Sequence, residues 1–154
     1  MQGKEKIRIF AIGRLKSGPE AELQEYYRAR LSWPLAIEEM EEKRLGPEMK
    51  EREGLLLANA LVKKPFPTII ALDERGKEYQ SRDFAAFCQQ SIEKGHVAFL
   101  IGGADGLSSS VKERATHLLS LGRMTWPHKL ARIMLLEQLY RAGQILAQHP
   151  YHRD

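Results

Sequence analysis

Short apolar runs alternate with helical patterns along the whole chain. Lys6–Ile12 is rich in Ile and Phe and ends at Gly13, which predicts a first strand. Pro19 suits the first turn of a helix, and Leu23, Tyr26, Tyr27 and Arg30 continue it at helical spacing to Leu31. After Trp33-Pro34, Leu35–Met40 predicts a second strand with Leu35 and Ile37 inward. Its acidic cluster, Glu38, Glu39, Glu41 and Glu42, suits a solvated edge better than a reactive carboxylate group. Gly46-Pro47 breaks the chain. Glu48–Val62 then carries an apolar stripe, Leu55, Leu56, Leu57, Ala58 and Leu61, and predicts a helix.

Thr68–Leu72 is a continuous apolar run between turn signals, as expected of a parallel strand covered on both faces. Asp73–Lys77 should turn. Ser81 is placed to cap a helix running to Glu93, with Phe84, Phe87, Cys88 and Ile92 inward and Gly95 at its end. His96–Ile101 predicts another buried strand, Ser108–Ala115 a short helix, and His117–Leu121 a last strand. Pro127 opens the longest helix, which runs to about Gln148. This alternation predicts one α/β domain over residues 1–154 with a parallel sheet flanked by helices. Apolar residues spread around most of the last helix and leave one polar stripe through Glu137, Arg141, Gln144 and Gln148. One sheet face in so small a domain would not cover such a helix, so a subunit interface, hence a homodimer, is expected.

Composition narrows the class. The 154 residues suit one domain, and the 43% hydrophobic and 29% charged content is that of a soluble globular protein. No apolar run approaches the ~20 residues of a membrane span. The charged start, Met1–Lys6, lacks the apolar core of a signal peptide. The lone Cys88 excludes an internal disulfide and suits a core position; a cytoplasmic location is expected. The net charge of +4 permits an anionic partner without demanding one. Residues 1–100 are nearly balanced, with 17 Lys/Arg against 16 Asp/Glu. Residues 101–154 carry 7 against 4, with four of the five histidines.

Candidate chemistry gathers in that basic third. Ile101-Gly102-Gly103-Ala104-Asp105-Gly106 is a glycine turn at a strand end, where the missing Cβ allows close backbone approach to a ligand. It is no P-loop, because no Gly-Lys-Ser/Thr follows, and its position and spacing are wrong for a dinucleotide fingerprint. Leu121-Gly122-Arg123-Met124-Thr125-Trp126 is a second strand-end loop with a large ring beside a glycine. If the two loops are neighbours, they form a crevice at the carboxyl ends of the strands that could hold a flat adenine. His96 and His117 suit structural roles. His128, His149 and His152 form no helical ligand pair, so no metal is expected. No Gly-x-Ser-x-Gly elbow is present. With no good covalent nucleophile, a reaction that mainly positions an already activated donor fits best. The tail Tyr151-His152-Arg153 concentrates a phenol, an imidazole and a guanidinium.

Four segments in order carry a resemblance over essentially the whole chain: Ile101-Gly102-Gly103-x-x-Gly106-Leu107, Met124-Thr125-x-Pro127-His128, Glu137-Gln138-x-Tyr140-Arg141-Ala142 and Tyr151-His152-Arg153. They closely resemble the large-subunit rRNA methyltransferase H family of the SPOUT class. The resemblance implies a SPOUT-like fold with a C-terminal trefoil knot and a homodimer. It implies S-adenosylmethionine as cofactor and methylation of N3 of a pseudouridine in a stem-loop of 23S rRNA, on the assembled ribosome. By matching positions, the cofactor pocket comprises Leu72, Gly102, Gly103 and Leu121, Gly122, Arg123, Met124, Thr125 and Trp126. Phe is frequent in the family where Trp126 stands. The acceptor nitrogen is an imide N–H, a poor nucleophile while protonated. His152 is a candidate base near the ordinary imidazole pKa of ~6.5, Tyr151 can stack on a base, and Arg153, Arg141 or Arg132 can stabilise an anion. Two other readings are a Rossmann-type enzyme using Gly13, Gly18 and Glu38 or Glu39, and a non-enzymatic RNA- or ribosome-binding module.

Overall fold

The computed structural model describes residues 4–153; the first three residues of the charged N-terminus and Asp154 of the tail lie outside the described residues. Ten elements follow in order: β1 (Ile7–Ile12), α1 (Pro19–Arg28), β2 (Leu35–Met40), α2 (Met49–Leu61), β3 (Thr68–Lys77), α3 (Ser81–Lys94), β4 (Val97–Ile101), α4 (Ser109–Arg114), β5 (His117–Leu119) and α5 (His128–Leu146). The strands form one sheet in the order β2-β1-β4-β3-β5, every pair parallel. The predicted parallel α/β sheet is therefore observed.

Alternation along the strands builds two cores. Ile7, Ile9, Ala11, Ile70, Phe99 and Ile101 meet Phe84 and Cys88 of α3 and Leu135, Leu136 and Leu139 of α5 on one face. Phe10, Ile12, Ala71, Ala98 and Leu100 meet Leu57 and Leu61 of α2 and Val111 of α4 on the other. The central strand β4 is buried at all five positions, which is why it reads as a continuous apolar run. Cys88 is free and buried, and burial pushes its thiol pKa well up.

Several local expectations are corrected. β3 does not stop at Leu72. It continues to Lys77, and both Leu72 and Lys77 pair with Leu119, so residues 73–76 bulge out over the strand ends. Gly76 permits this, because a Cβ there would stand 2.6 Å from the Leu118 carbonyl carbon. β5 ends two residues early, because the Ser120 hydroxyl accepts the Gly122 N–H at 3.0 Å and starts the loop. Ser81 does not cap α3; its hydroxyl donates to Gln138 Oε1 at 2.9 Å, tying α3 to α5. In α1, Leu23 and Tyr26 face outward, while Gln24 is buried and Tyr27 packs on the core. In α2, Leu55 is exposed and the inward face runs through Glu53, Gly54, Leu57, Ala60 and Leu61.

The last helix is corrected as well. α5 lies between α1 and α3 over the sheet, so neighbours in its own chain cover Leu135, Leu136, Leu139 and Ala142 completely. The inward apolar positions of the helix are therefore covered within the chain. What stays exposed is narrower: Leu130 and Leu146 on α5, with Leu23 and Tyr26 on α1 also exposed.

The edge strand β2 is not merely a solvated acidic edge. Glu39 accepts from Nη1 of Arg132 at 2.5 Å and from the Leu15 N–H at 2.9 Å. Arg132 is only 1% exposed and also donates to Gln24 Oε1 and the Gly13 carbonyl. Burial opposes the Glu39 charge, but Arg132 and the Leu15 N–H outweigh it and lower its pKa. This cation ties α5, α1, β1 and β2 together and cannot reach a phosphate, which removes it from the anion-binding candidates. Arg132→Met is expected to destabilise the fold by roughly 3 kcal/mol, because it strands a carboxylate and a carbonyl. Calorimetry should read this as a fall in Tm of about 6–12 °C; an unchanged Tm would contradict it.

Candidate functional site

Three consecutive strand ends on one side of the sheet converge. β4 runs into Gly102 and Gly103, and Gly103 forms an antiparallel bridge with Gly106, whose N–H donates to the Gly103 carbonyl at 3.0 Å. A Cβ on Gly102 would lie 2.6 Å from the Gly106 carbonyl carbon. A Cβ on Gly103 would lie 2.8 Å from the carboxylate of Glu53, a buried α2 residue. The Glu53 pKa is raised by burial and by Asp105 and Glu42. The glycine turn is thus closed on itself and seated on a side chain. The next helix is capped by Ser108, whose Oγ accepts from the Val111 N–H.

The loop after β5 is braced against the β3 bulge. Thr125 Oγ1 donates to Glu74 Oε2 at 2.8 Å, and the Ser120 hydroxyl lies 3.2 Å from the Glu74 carbonyl. Gly122 has φ +119, a conformation side chains rarely adopt. Asp73 pairs with Lys112 at 3.0 Å and accepts the Arg75 N–H at 2.9 Å. Burial opposes the Asp73 charge, but these partners lower its pKa.

Between the loops lies a cavity of about 410 Å³. Leu72, Leu107, Leu121, Met124, Trp126 and Ala131 give it apolar surface, and Gly102, Gly103 and Gly122 give it bare backbone. Its volume suits a nucleoside-sized ligand. Of the residues expected here, Leu72, Gly102, Gly103, Leu121, Gly122, Met124, Thr125 and Trp126 surround this one cavity. Arg123 belongs to the loop, but its side chain stands in solvent, 3.9 Å from Glu78. Met124 and Trp126 leave substantial apolar area exposed at the rim.

Glu74, Glu53 and His128 also belong to this region. Glu74 sits where a turn was expected, so nothing local pointed to a brace 51 residues away. His128 lines the cavity, and its Nε2 lies 3.2 Å from where a Gly13 Cβ would stand. Burial, then Lys129 and Arg132, hold its pKa below the ordinary imidazole value.

The tail lies elsewhere. Tyr151 donates its hydroxyl to Glu137 Oε1 at 3.0 Å and packs edge-on against Tyr140. Arg141 binds the same Glu137 at 2.6 Å and stands over the Tyr151 ring. Burial and then the Glu137 carboxylate push the Tyr151 phenol up to about 12, so it stays neutral. Arg141 Nη1 lies 3.1 Å from His152 Nδ1. A guanidinium can only donate, so Nδ1 accepts and the imidazole proton sits on Nε2. Arg141 thereby orients the His152 ring and occupies its Nδ1. Glu137 and Arg141 stand nine and thirteen residues beyond His128 in α5, roughly 14–20 Å along its axis. The tail therefore does not join the cavity of its own chain.

Among the described residues no group of three or more His, Cys, Asp or Glu could hold a metal ion, and no helix is long and apolar enough to cross a membrane.

Comparison with known proteins agrees with this layout. The profile of a family described as "Predicted SPOUT methyltransferase" matches residues 5–152. The chain is 49% identical over 152 residues to the ribosomal RNA large subunit methyltransferase H of Paramagnetospirillum magneticum, covering 96% of this chain and 99% of that one. It is 47% identical to the protein of that name from Rhodospirillum centenum, with the same coverage. Among solved structures, it resembles a probable methylase family protein from Haemophilus influenzae, with TM-score 0.56 and 15% identity over 97% of this chain and 71% of that one. It also resembles a Legionella pneumophila putative methyltransferase solved with its cofactor SAM, with TM-score 0.51 and 16% identity over 90% of this chain and 67% of that one. At those identities the structures speak for the fold alone.

Proposed function

The chain belongs to the SPOUT methyltransferase family, and from that premise we propose that it is a homodimeric rRNA methyltransferase acting on N3 of a pseudouridine in 23S rRNA of the assembled ribosome. The observation that carries the reading is the cavity walled by the glycine turn and the braced loop after β5. It offers a nucleoside backbone donors and acceptors, apolar walls from Leu72, Leu107 and Leu121, and no Cβ at Gly102 or Gly103. When bound there, S-adenosylmethionine supplies a methyl group already activated on a sulfonium. The chain itself must bind the nucleoside part, exclude water, orient the acceptor base and dispose of its proton.

In this reading the C-terminal part of the chain also carries the family's trefoil knot. The tail completes the acceptor site of the other subunit, since its anchors on α5 stand too far from their own cavity. Tyr151 would stack on the base, His152 would donate through Nε2, and Arg153 would hold an anion. The outward apolar residues Leu23 and Tyr26 of α1 and Leu130 and Leu146 of α5 suit a subunit contact. A net charge of +4 is modest for a protein that must hold RNA unaided, which favours an assembled ribosome with additional contacts.

The test is methyl transfer from labelled S-adenosylmethionine to free 23S rRNA, large subunits and whole ribosomes lacking the modification. Incorporation should be greatest on whole ribosomes and should vanish when the pseudouridine is replaced by uridine. RNA binding without transfer would instead favour a non-enzymatic module.

A further inference from the structure

We propose that His128 is the catalytic base that takes the proton from the imide nitrogen of the acceptor. This rests on the methyltransferase reading above and deepens it. A base must be neutral, fixed and inside the reaction chamber. Among the described residues, His128 is the only histidine lining the cavity. One edge of its ring faces a residue that has no side chain. The Nε2–Cδ2 edge faces Gly13, with Nε2 3.2 Å from where a Cβ would stand, and Gly13 has φ +98 and no side chain to push it away. The Gly13 N–H donates to the Met40 carbonyl at 2.7 Å, and the Gly13 carbonyl accepts from Arg132 at 3.1 Å. The buried Arg132–Glu39–Gln24 network thus holds the glycine that the imidazole edge faces.

Burial first, and then charge, favours the neutral ring. Lys129 and Arg132 on its own helix both disfavour the imidazolium, as burial does. The other charged groups around the cavity are Lys50 of α2, Asp73, Glu74 and Arg75 of the β3 bulge, Asp105 of the glycine turn and Lys112 of α4. Asp73 is paired with Lys112 and Glu74 accepts from Thr125, so both carboxylates already have partners. The other candidate base, His152, carries its proton on Nε2 because Arg141 occupies Nδ1.

The step balances as follows. The imide N–H bond breaks and its proton passes to the His128 ring. The nitrogen pair forms the new N–CH3 bond while the sulfur–methyl bond breaks and its electrons return to sulfur. The imidazolium then gives its proton to solvent. The neutral ring is the active form, so activity falls as pH drops through the His128 pKa and levels off above it.

His128→Asn should lower methyl transfer at neutral pH by about 100- to 1,000-fold, with S-adenosylmethionine affinity by calorimetry within about twofold of wild type. Its rate should climb steadily with pH as the imide ionises unaided, and added imidazole should restore part of it. In the wild type, the imidazole titration of His128 followed by NMR without RNA should meet the acid break of the pH–rate profile. Gly13→Ala adds backbone strain at φ +98 as well as a push on the ring; with folding checked by circular dichroism it should lower the rate with the same flat cofactor affinity, and the wild-type titration serves if either variant misfolds. A His128→Asn enzyme with the wild-type rate and pH profile overturns the proposal. So does a loss of cofactor binding as large as the loss of rate. Wild-type protein that binds no S-adenosylmethionine would instead fail the parent reading.

Discussion

Gly102→Val is expected to abolish measurable S-adenosylmethionine binding while the sheet stays folded. The reason is sharper than a side chain entering the pocket. The Cβ direction at Gly102 points at the backbone of Gly106, 2.6 Å from its carbonyl carbon and 2.7 Å from its oxygen. Neither atom can swing aside, because the Gly106 N–H is bonded to the Gly103 carbonyl within the same turn. Any side chain must therefore open the turn and move the backbone that walls the cavity. Val adds a branch to the same collision. Affinity should fall at least about 100-fold, or ~2.8 kcal/mol, by calorimetry, with a native circular dichroism spectrum. Gly103→Ala should be milder, because its Cβ meets only the end of the Glu53 side chain. Undiminished binding to Gly102→Val would exclude this turn from the cofactor site.

Removing residues 151–154 is expected to leave folding, dimerisation and S-adenosylmethionine binding intact and to eliminate methyl transfer. The tail contributes no strand and no core residue; it lies on Glu137, Tyr140 and Arg141 at the outer end of α5. Its loss frees one ion pair to solvent, a small cost at a partly exposed site. Light scattering should give twice the chain mass of 17.6 kDa for wild-type and truncated protein alike. A mixed dimer of a truncated subunit and a Gly102→Val subunit tests the geometry. If the tail acts across the interface, the intact cavity and the intact tail meet in one composite site and activity returns. A dead mixed dimer would assign the tail to its own subunit, against the 14–20 Å separation along α5. A fully active truncated homodimer would end the tail's role.

Much of this protein is legible in its sequence because its signals are local. The buried runs Thr68–Leu72 and His96–Ile101 are apolar on both faces, and only a central parallel strand needs that. Pro19 and Gly95 mark helix ends through their own backbone limits. The glycine turn after β4 and the Leu121–Trp126 loop are recognisable because ligand contact through bare backbone requires glycine at a strand end. Their meeting around one cavity follows once the strands are parallel, since all carboxyl ends then face the same way.

What the sequence left open depends on partners far along the chain. Glu39 looks like one more acidic edge residue until Arg132, 93 positions later, lies against it. Ser81 looks like a cap until Gln138 takes its hydroxyl. The bulge over residues 73–76 exists only because β5 brings Leu119 opposite both Leu72 and Lys77. The apolar girth of α5 does not say which of its positions α1 and α3 will cover and which, such as Leu130 and Leu146, stay exposed. His128 and His152 are indistinguishable as letters. Folding sets one in the cavity wall with its edge toward Gly13 and gives the other an arginine at its Nδ1. Local sequence fixes backbone conformation and apolar faces, because those energies involve neighbours within a turn or two. Which polar group meets which is a long-range matter, and only tertiary packing decides it, because the cost of burying a charge or donor is set by the one partner that arrives.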